Sequence, residues 1–525
     1  MAWHLTDSCR IPSGPMPAEG PAGSSDARSV ALGLDGALRE GPADILIRTA
    51  FADELQAQMP FLCDLALADL AHTIVLIEHE VIPRDAGRRL LAALLALDAR
   101  PADLVPDPAR GDAYTNREAW LLEREPAAVW LGAGRARREA TTTAFHLALR
   151  RRLVGLVAGL CGFGEALVRL AAAEQNTLMP DYTYLQAAQP TTMGHYLLGF
   201  AGPLRRDLDR AMALLDRVDL SPAGVGSGNG SILEQDRART AELLGFDGLV
   251  RHGRDAIWQA DLAVESVAVA CNAALNLDRL AEDLMLFAST PFGFVAVSDG
   301  HARASRVLPQ KRNPFALTHV RAVANRLIGS LASVAAASRM PTGQPDTRSV
   351  ASGEVFEAID LATGAAELMA ATLSSLRVDR ERCLAALTES DAAAADLAAV
   401  IVRDGAGRVD VRTAHRIVGR LLADLATAGR SLRGMVPADV RAAGGAVGTP
   451  VELSEAALAD ALDPRRAVAA RQSPGGAGHA AMAELIADDG ATIATAMRWC
   501  AERTQRIATA EAALRSRARD LAGQP

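Results

Sequence analysis

A chain of 525 residues can bury a large core and, by size alone, suggests about three domains. Half of it is apolar but aromatics make up only 4%, and Ala and Leu dominate, so helices packed through small side chains are favoured over sheets. The net charge of -8 and pI of 5.8 argue against a nucleic-acid partner, and short basic runs such as Arg150-Arg151-Arg152 read as solvated helix faces.

Residues 1 to about 40 are rich in Pro, Gly and Ser and read as an irregular arm without a signal-peptide pattern. Helical periodicity runs from Ile45 to Asp98 with a break at Ile82-Pro83, and a polar, Pro-rich interval follows from Arg100 to Arg117. Long apolar-periodic segments then cover 134–176, 190–217, 253–291 and 314–339. Three loops of unusual chemistry separate them, Met179 to Pro190, Ala223 to Ser231, and Ser298 to Pro314, and strand signals are scarce. The longest apolar stretch, Asp261 to Phe287, is apolar nearly all round but carries Glu265, Asp278, Glu282 and Asp283. That pattern predicts a helix buried in a bundle, with no membrane involved. The last third shifts to shorter helices broken at Gly405, Gly444-Gly445 and Gly475-Gly476. The expected organisation is an all-α chain: an N-terminal arm and helical domain (1–130), a central helical bundle carrying the functional loops (131–378), and a small C-terminal helical domain (379–525). Six cysteines without a CxxC pair fit a reduced, cytoplasmic setting. Ten dispersed histidines, with no HExxH and no Cys/His cluster, imply no metal.

Chemistry concentrates in Ala304-Ser305-Arg306-Val307-Leu308-Pro309-Gln310-Lys311-Arg312-Asn313-Pro314. A hydroxyl, an ammonium and a carboxamide at fixed offsets can hold and deprotonate a substrate that bears a carboxylate. Ser305 is a feeble base unless desolvated beside positive charge, and Lys311 is the natural neighbour. Small residues before it suit a mobile flap. Arg137, in Gly134-Arg135-Ala136-Arg137-Arg138-Glu139, stands at a loop-to-helix junction from which a guanidinium can clamp a carboxylate.

The segment from Ala304 resembles the Gly-Ser-Ser-x-x-Met-Pro-x-Lys-x-Asn-Pro signature of the fumarase/aspartase superfamily, with Ala304, Arg306 and Leu308 as departures. The arginine block resembles Gly-Arg-Ser-Arg-Asn-Asp of argininosuccinate lyase. Met179-Pro180-Asp181-Tyr182-Thr183-Tyr184-Leu185-Gln186-Ala187-Ala188-Gln189-Pro190 is similar to the family's Met-Pro-Gly-Tyr-Thr-His-Leu-Gln-x-Ala-Gln-Pro. Gly226-Ser227-Gly228 resembles its Gly-Ser-Gly-Ala loop, and the likeness continues to Ser473-Pro474-Gly475-Gly476. This resemblance implies a fumarase/aspartase-type fold, with a central long-helix bundle that forms a 20-helix core on tetramerisation. It implies a homotetramer whose sites combine segments of three subunits, acting on a small dicarboxylate substrate without a cofactor. It also assigns roles: Ser305 as base; Arg137, Lys311 and Asn313 as carboxylate and intermediate binders; Thr183 and Tyr184 on the leaving-group side. Gln186, Ser227 and Thr115-Asn116 complete the substrate contacts, the last pair lying in the interval that resembles the family's first active-site loop.

The departures carry information too. The family's acid/base His is Tyr184 here, and the Glu that supports it is Thr318, with His319 beside it. Three residues that serve the arginine end of argininosuccinate, Tyr, Gln and Lys, are Gln344, Ser349 and Ser352. The implied reaction is β-elimination from a succinate-type substrate to give fumarate, or its reverse, with a leaving group other than arginine and with Tyr184 or water as acid. The alternative is a catalytically silent homologue that keeps the bundle for structural or regulatory use.

Overall fold

The computed structural model describes residues 38–339, 346–405 and 407–524, with side chains left aside over 346–350. The architecture is all-α, and the few strands are short two-stranded pairs. Helix α1 (Leu62–Glu78) is buried on every side from Leu65 to Ile77. The chain then turns through Glu80, in the left-handed region, and Pro83, which disfavours helix in the residue before it. Helix α2 (Arg84–Ala99) buries Leu90, Leu91, Leu94 and Leu97 and exposes Arg88 and Arg89. Helix α3 (Ala113–Leu122) begins at Asp112, whose carboxylate caps Thr115 N at 2.9 Å.

The scaffold is α4 (Arg137–Ala173), 37 residues and so about 55 Å long. Helices α5 (Ala201–Val218) and α9 (Asp346–Ser374) pack along it, and α7 (Asp261–Phe287), reached through the shorter α6 (Arg237–Leu244), packs on both of them and on α8 (Phe315–Ala337). Gly164 marks a close approach on α4: a Cβ there would lie 2.7 Å from Leu204 and 2.8 Å from Ile493. Small residues on α4 thus let three helices meet, as the Ala-rich composition predicts.

After α9 come α10 (Arg380–Glu389), α11 (Ala394–Asp404), α12 (Val411–Thr427), α13 (Pro437–Ala446) and α14 (Glu455–Leu462). Helices α11 to α14 share a core of their own, built on Leu397, Ile401, Ile417, Leu421 and Val440. The expected C-terminal domain of 379–525 does not stay whole, however. Its last helix, α15 (His479–Ala522), runs back along α4, α2 and α1 and places Met482, Ile493, Cys500 and Leu514 in the main core.

Two more expectations change. The loop from Met179 to Pro190 is a hairpin of β1 (Leu178–Thr183) and β2 (Gln186–Thr192), with an irregularity at Asp181. Cys63 is disulfide-bonded, against the expectation of thiols throughout, while Cys161, Cys271, Cys383 and Cys500 are free and buried. Two helical stretches, Asp44–Glu78 and Arg137–Ala173, are long and apolar enough to cross a membrane, and 89% and 61% of their apolar windows are buried inside the protein.

Candidate functional site

At the N-terminal end of α4 one carboxylate organises two loops. Asp69 of α1, fully buried, accepts Nε and Nη2 of Arg117 at 3.1 and 2.9 Å and Nη2 of Arg135 at 2.7 Å. Burial opposes ionisation of Arg135, but Asp69 outweighs it and keeps the guanidinium charged. The turn is thereby pinned, and Arg137 follows it with a side chain 43% exposed, 3.4 Å from Asp112. Gly134 has a positive φ, and a Cβ there would meet Gln235 and Ser231, so the turn is locked against the glycine loop of 223–231. Ser227 is exposed on that loop.

Thr115 and Asn116 sit differently from the expectation. Both are buried, and Thr115 Oγ1 donates to Asp112 Oδ1 at 2.9 Å. Asn116 donates to the carbonyls of Asp107, Gly111 and Asp112 and accepts from Asp107 N at 2.8 Å. Their polar groups hold the 107–112 turn. Nearby, burial pushes the Glu118 carboxyl up to about 7, against the pull of Arg135.

The other expected residues gather at the C-terminal end of α4. The hairpin is anchored by Tyr182, whose ring packs against Phe292 at 5.4 Å and near Phe287 and Phe294. Thr183 and Gln186 pair across the turn, and all of Thr183, Tyr184 and Gln186 are exposed, Tyr184 at 99%. Tyr184 and Leu185 have φ of 54° and 58°, the backbone of a two-residue primed turn, which thrusts the Tyr184 ring away from the molecule.

The flap of Ser298 to Pro314 lies at the same end, where Phe294, next to it in sequence, faces Tyr182. Its base is fixed by Ser298 Oγ, 2.9 Å from both His301 Nδ1 and Ser375 Oγ. Its arms are β3 (Arg303–Ala304) and β4 (Arg312–Asn313), tied by Asn313 Nδ2 donating to Arg303 O at 2.9 Å. Ser305 N bonds the carbonyl of Lys311 at 3.2 Å, so the two lie side by side. Ser305 Oγ accepts the N–H groups of Val307 and Leu308 at 3.3 and 3.0 Å. Two donors on one hydroxyl oxygen favour its anion. Thr318, in place of the family Glu, donates to Pro314 O at 3.3 Å and to Met285 Sδ at 4.0 Å.

The expected site therefore falls into two halves. Arg137 and Ser227 stand at one end of α4, and Thr183, Tyr184, Gln186, Ser305, Lys311 and Asn313 stand at the other, about 55 Å away by the length of that helix. Of the residues of the lost arginine pocket, Gln344 lies outside the described residues and so does the Ser349 side chain, while Ser352 is buried and donates to Ala57 O at 3.2 Å. Among the described residues no group of His, Cys, Asp and Glu could hold a metal. Sequence reasoning missed Asp69, Glu118 and Glu139. A lone Asp within the apolar run Leu65-Ala66-Leu67-Ala68-Asp69-Leu70-Ala71 was the available signal, since a carboxylate buried there needs a cationic partner.

A long-helix bundle with a serine flap at one end and an arginine turn at the other is the architecture of a class of lyases, and comparison with known proteins agrees. A family model described as a lyase matches residues 120–329. Argininosuccinate lyase of Methanothrix thermoacetophila is 35% identical over 420 residues, 78% of this chain and 83% of that one. That of Halobacterium salinarum is 34% identical over 432 residues, covering 82% and 86%. Among solved structures, an EDDS lyase in complex with formate superposes with a TM-score of 0.80 at 24% identity, covering 97% of each chain. Class II fumarase from Schistosoma mansoni reaches 0.67 at 12% identity, covering 86% of this chain and 96% of that one. The chain belongs to the argininosuccinate lyase-like family of the fumarase/aspartase superfamily, and it is a lyase.

Proposed function

We propose that the protein cleaves a carbon–nitrogen (or related carbon–heteroatom) bond in a succinate-type substrate to give fumarate, or runs the reverse addition, and that argininosuccinate is not its substrate. The observation that carries this reading is Ser305 Oγ, which accepts two backbone N–H groups beside Lys311 at the tip of a flap. As an alkoxide it removes the proton next to a substrate carboxylate. The electron pair moves into that carboxylate, giving a doubly charged intermediate that Lys311, Asn313 and Arg137 neutralise. Each such donor is worth roughly 3 kcal/mol in the transition state. The pair then returns to form the fumarate double bond as the C–N bond breaks, and the leaving nitrogen takes its proton from Tyr184 or from water. Thr183, Gln186 and Ser227 complete the pocket on this reading.

A site assembled between subunits follows from the distance between the halves. An arginine and a serine at opposite ends of a helix about 55 Å long serve one substrate only if different chains supply them. A homotetramer in the cytoplasm, like the assembly expected from the resemblance, meets that need. The altered substrate is supported by Ser352, a packing residue where the family places a lysine for the amino-acid end. The test is to incubate the purified chain with fumarate and a panel of amines and follow fumarate absorbance. Turnover with at least one amine, lost in Ser305→Ala, is expected. Equal turnover by Ser305→Ala sinks the mechanism, and rapid argininosuccinate cleavage sinks the altered substrate.

A further inference from the structure

Three buried polar atoms where α1, α4 and the glycine loop meet lack a hydrogen-bond partner among the described residues: His72 Nε2, Arg135 Nε and Glu139 Oε2. Their residues are 5%, 8% and 1% exposed. All three residues line one internal cavity, with Thr143, Gly224 and Thr240. Its volume, about 10 Å³ for the centre of a water molecule, is room for one water. Buried polar atoms are satisfied by protein or by ordered water, and a void that collects two donors or acceptors and a carboxylate oxygen is the place for the latter.

The other oxygen of Glu139 looks outward, to the loop. Oε1 accepts Gly224 N at 2.8 Å, and the N–H groups of Val225 and Gly226 also favour the ionised carboxylate. Burial works against them and leaves the carboxyl at about 7. The charged groups facing it are Arg135 from the turn before α4 and Arg237 from the start of α6; His72, from α1, is kept neutral by burial and by Arg135. Arg237 is itself tied to the loop, donating to Ala223 O at 3.0 Å and Val250 O at 2.8 Å. Nothing in the elimination chemistry uses Glu139, yet it ties the start of α4 to the loop that carries Ser227.

We propose that Glu139, bridged by one water to His72 and Arg135, is a positioning residue that anchors the Gly224–Gly228 loop and so fixes the position of Ser227. Its catalytic consequence rests on the lyase reading above; the anchoring itself does not. An ionised carboxylate accepts from several loop N–H groups together, whereas the protonated acid keeps one weaker acceptor, so the loop is held more tightly above pH 7 than below.

Hydrogen exchange over residues 222–231 at pH 6 and pH 8, corrected for intrinsic rates, reads the anchor without turnover. In the wild type, protection at pH 8 is expected to exceed that at pH 6 roughly tenfold, the scale of a hydrogen bond to a charged group. Glu139→Gln should show the same low protection at both. Equal protection in the wild type at the two pH values overturns the proposal, and that measurement needs no variant to fold. Should a substrate be found, Glu139→Gln should raise KM more than it lowers kcat and lose the acidic limb near pH 7, with Glu139→Asp restoring part of both. An unchanged profile would overturn the positioning role while leaving the lyase chemistry intact.

Discussion

Tyr184 and Leu185 fill the two central positions of a turn that prefers Asn-Gly, because both need positive φ. Bulky residues there store roughly 1–3 kcal/mol each, and such strain persists where a site demands it. Exchanging both, Tyr184→Asn with Leu185→Gly, is expected to stabilise the protein by about 1–2 kcal/mol in urea unfolding, since the hairpin register stays as it is. Tyr184→Phe keeps the strain and removes only the hydroxyl. If Tyr184 supplies the leaving-group proton, kcat for the best amine should drop about 100-fold at unchanged urea midpoint; a full-speed variant would assign that proton to water. The motif around these residues was legible, because peptide-long identity survives folding. The turn was not, because Thr183-Tyr184-Leu185-Gln186 holds no Gly, Asn or Asp to announce it.

Helix α1 is legible in the sequence as a buried element but not as the carrier of a shared carboxylate. Periodicity placed α1 and α2 and the break at Pro83, and it placed α4 and α8 to within a few residues, while the segment expected from 253 splits into a short helix and α7. It could not show that Asp69 joins α3 and the arginine turn to α1, since that contact depends on three segments meeting. Nor could it assign α15 to the main core, where the partner is remote in sequence. Removing the shared carboxylate strands two buried guanidinium groups. Asp69→Ala should therefore lose 3–5 kcal/mol or more in chemical unfolding, and Asp69→Glu should recover only part of it. Glu118, midway along α3, acts with the opposite sign to a paired carboxylate. Its folded value of about 7 lies above its ordinary 4.5, chiefly through burial, so the folded state binds the proton more tightly than the unfolded chain. That contribution, on the order of 3 kcal/mol, is fully present below pH 4.5 and lost as pH rises through 7. Thermal scans should show Glu118→Gln losing less stability between pH 5 and 8 than the wild type, and parallel curves would exclude the shift.

At the scale of the molecule, the two ends of α4 pose the question of whether one site draws on more than one chain. The arginine turn is welded to α1 and the glycine loop, and the flap and hairpin are fixed to α9 and to the aromatic cluster around Phe287, so no hinge within one chain brings them together. Arg137→Ala and Ser305→Ala each remove one end, and each homo-oligomer should be inactive. In hybrids formed by co-refolding equal amounts, a site drawing its two ends from different subunits is intact when one is wild type at position 137 and the other at position 305. Random assortment makes that about one quarter of sites. Regain of about one quarter of wild-type turnover is therefore the expected outcome, with substrate chosen from the amine panel. Sites complete within one chain would give none, because every subunit in the mixture carries one lesion. The size of the recovery thus distinguishes shared from self-contained sites, without requiring that the leaving group be known beforehand.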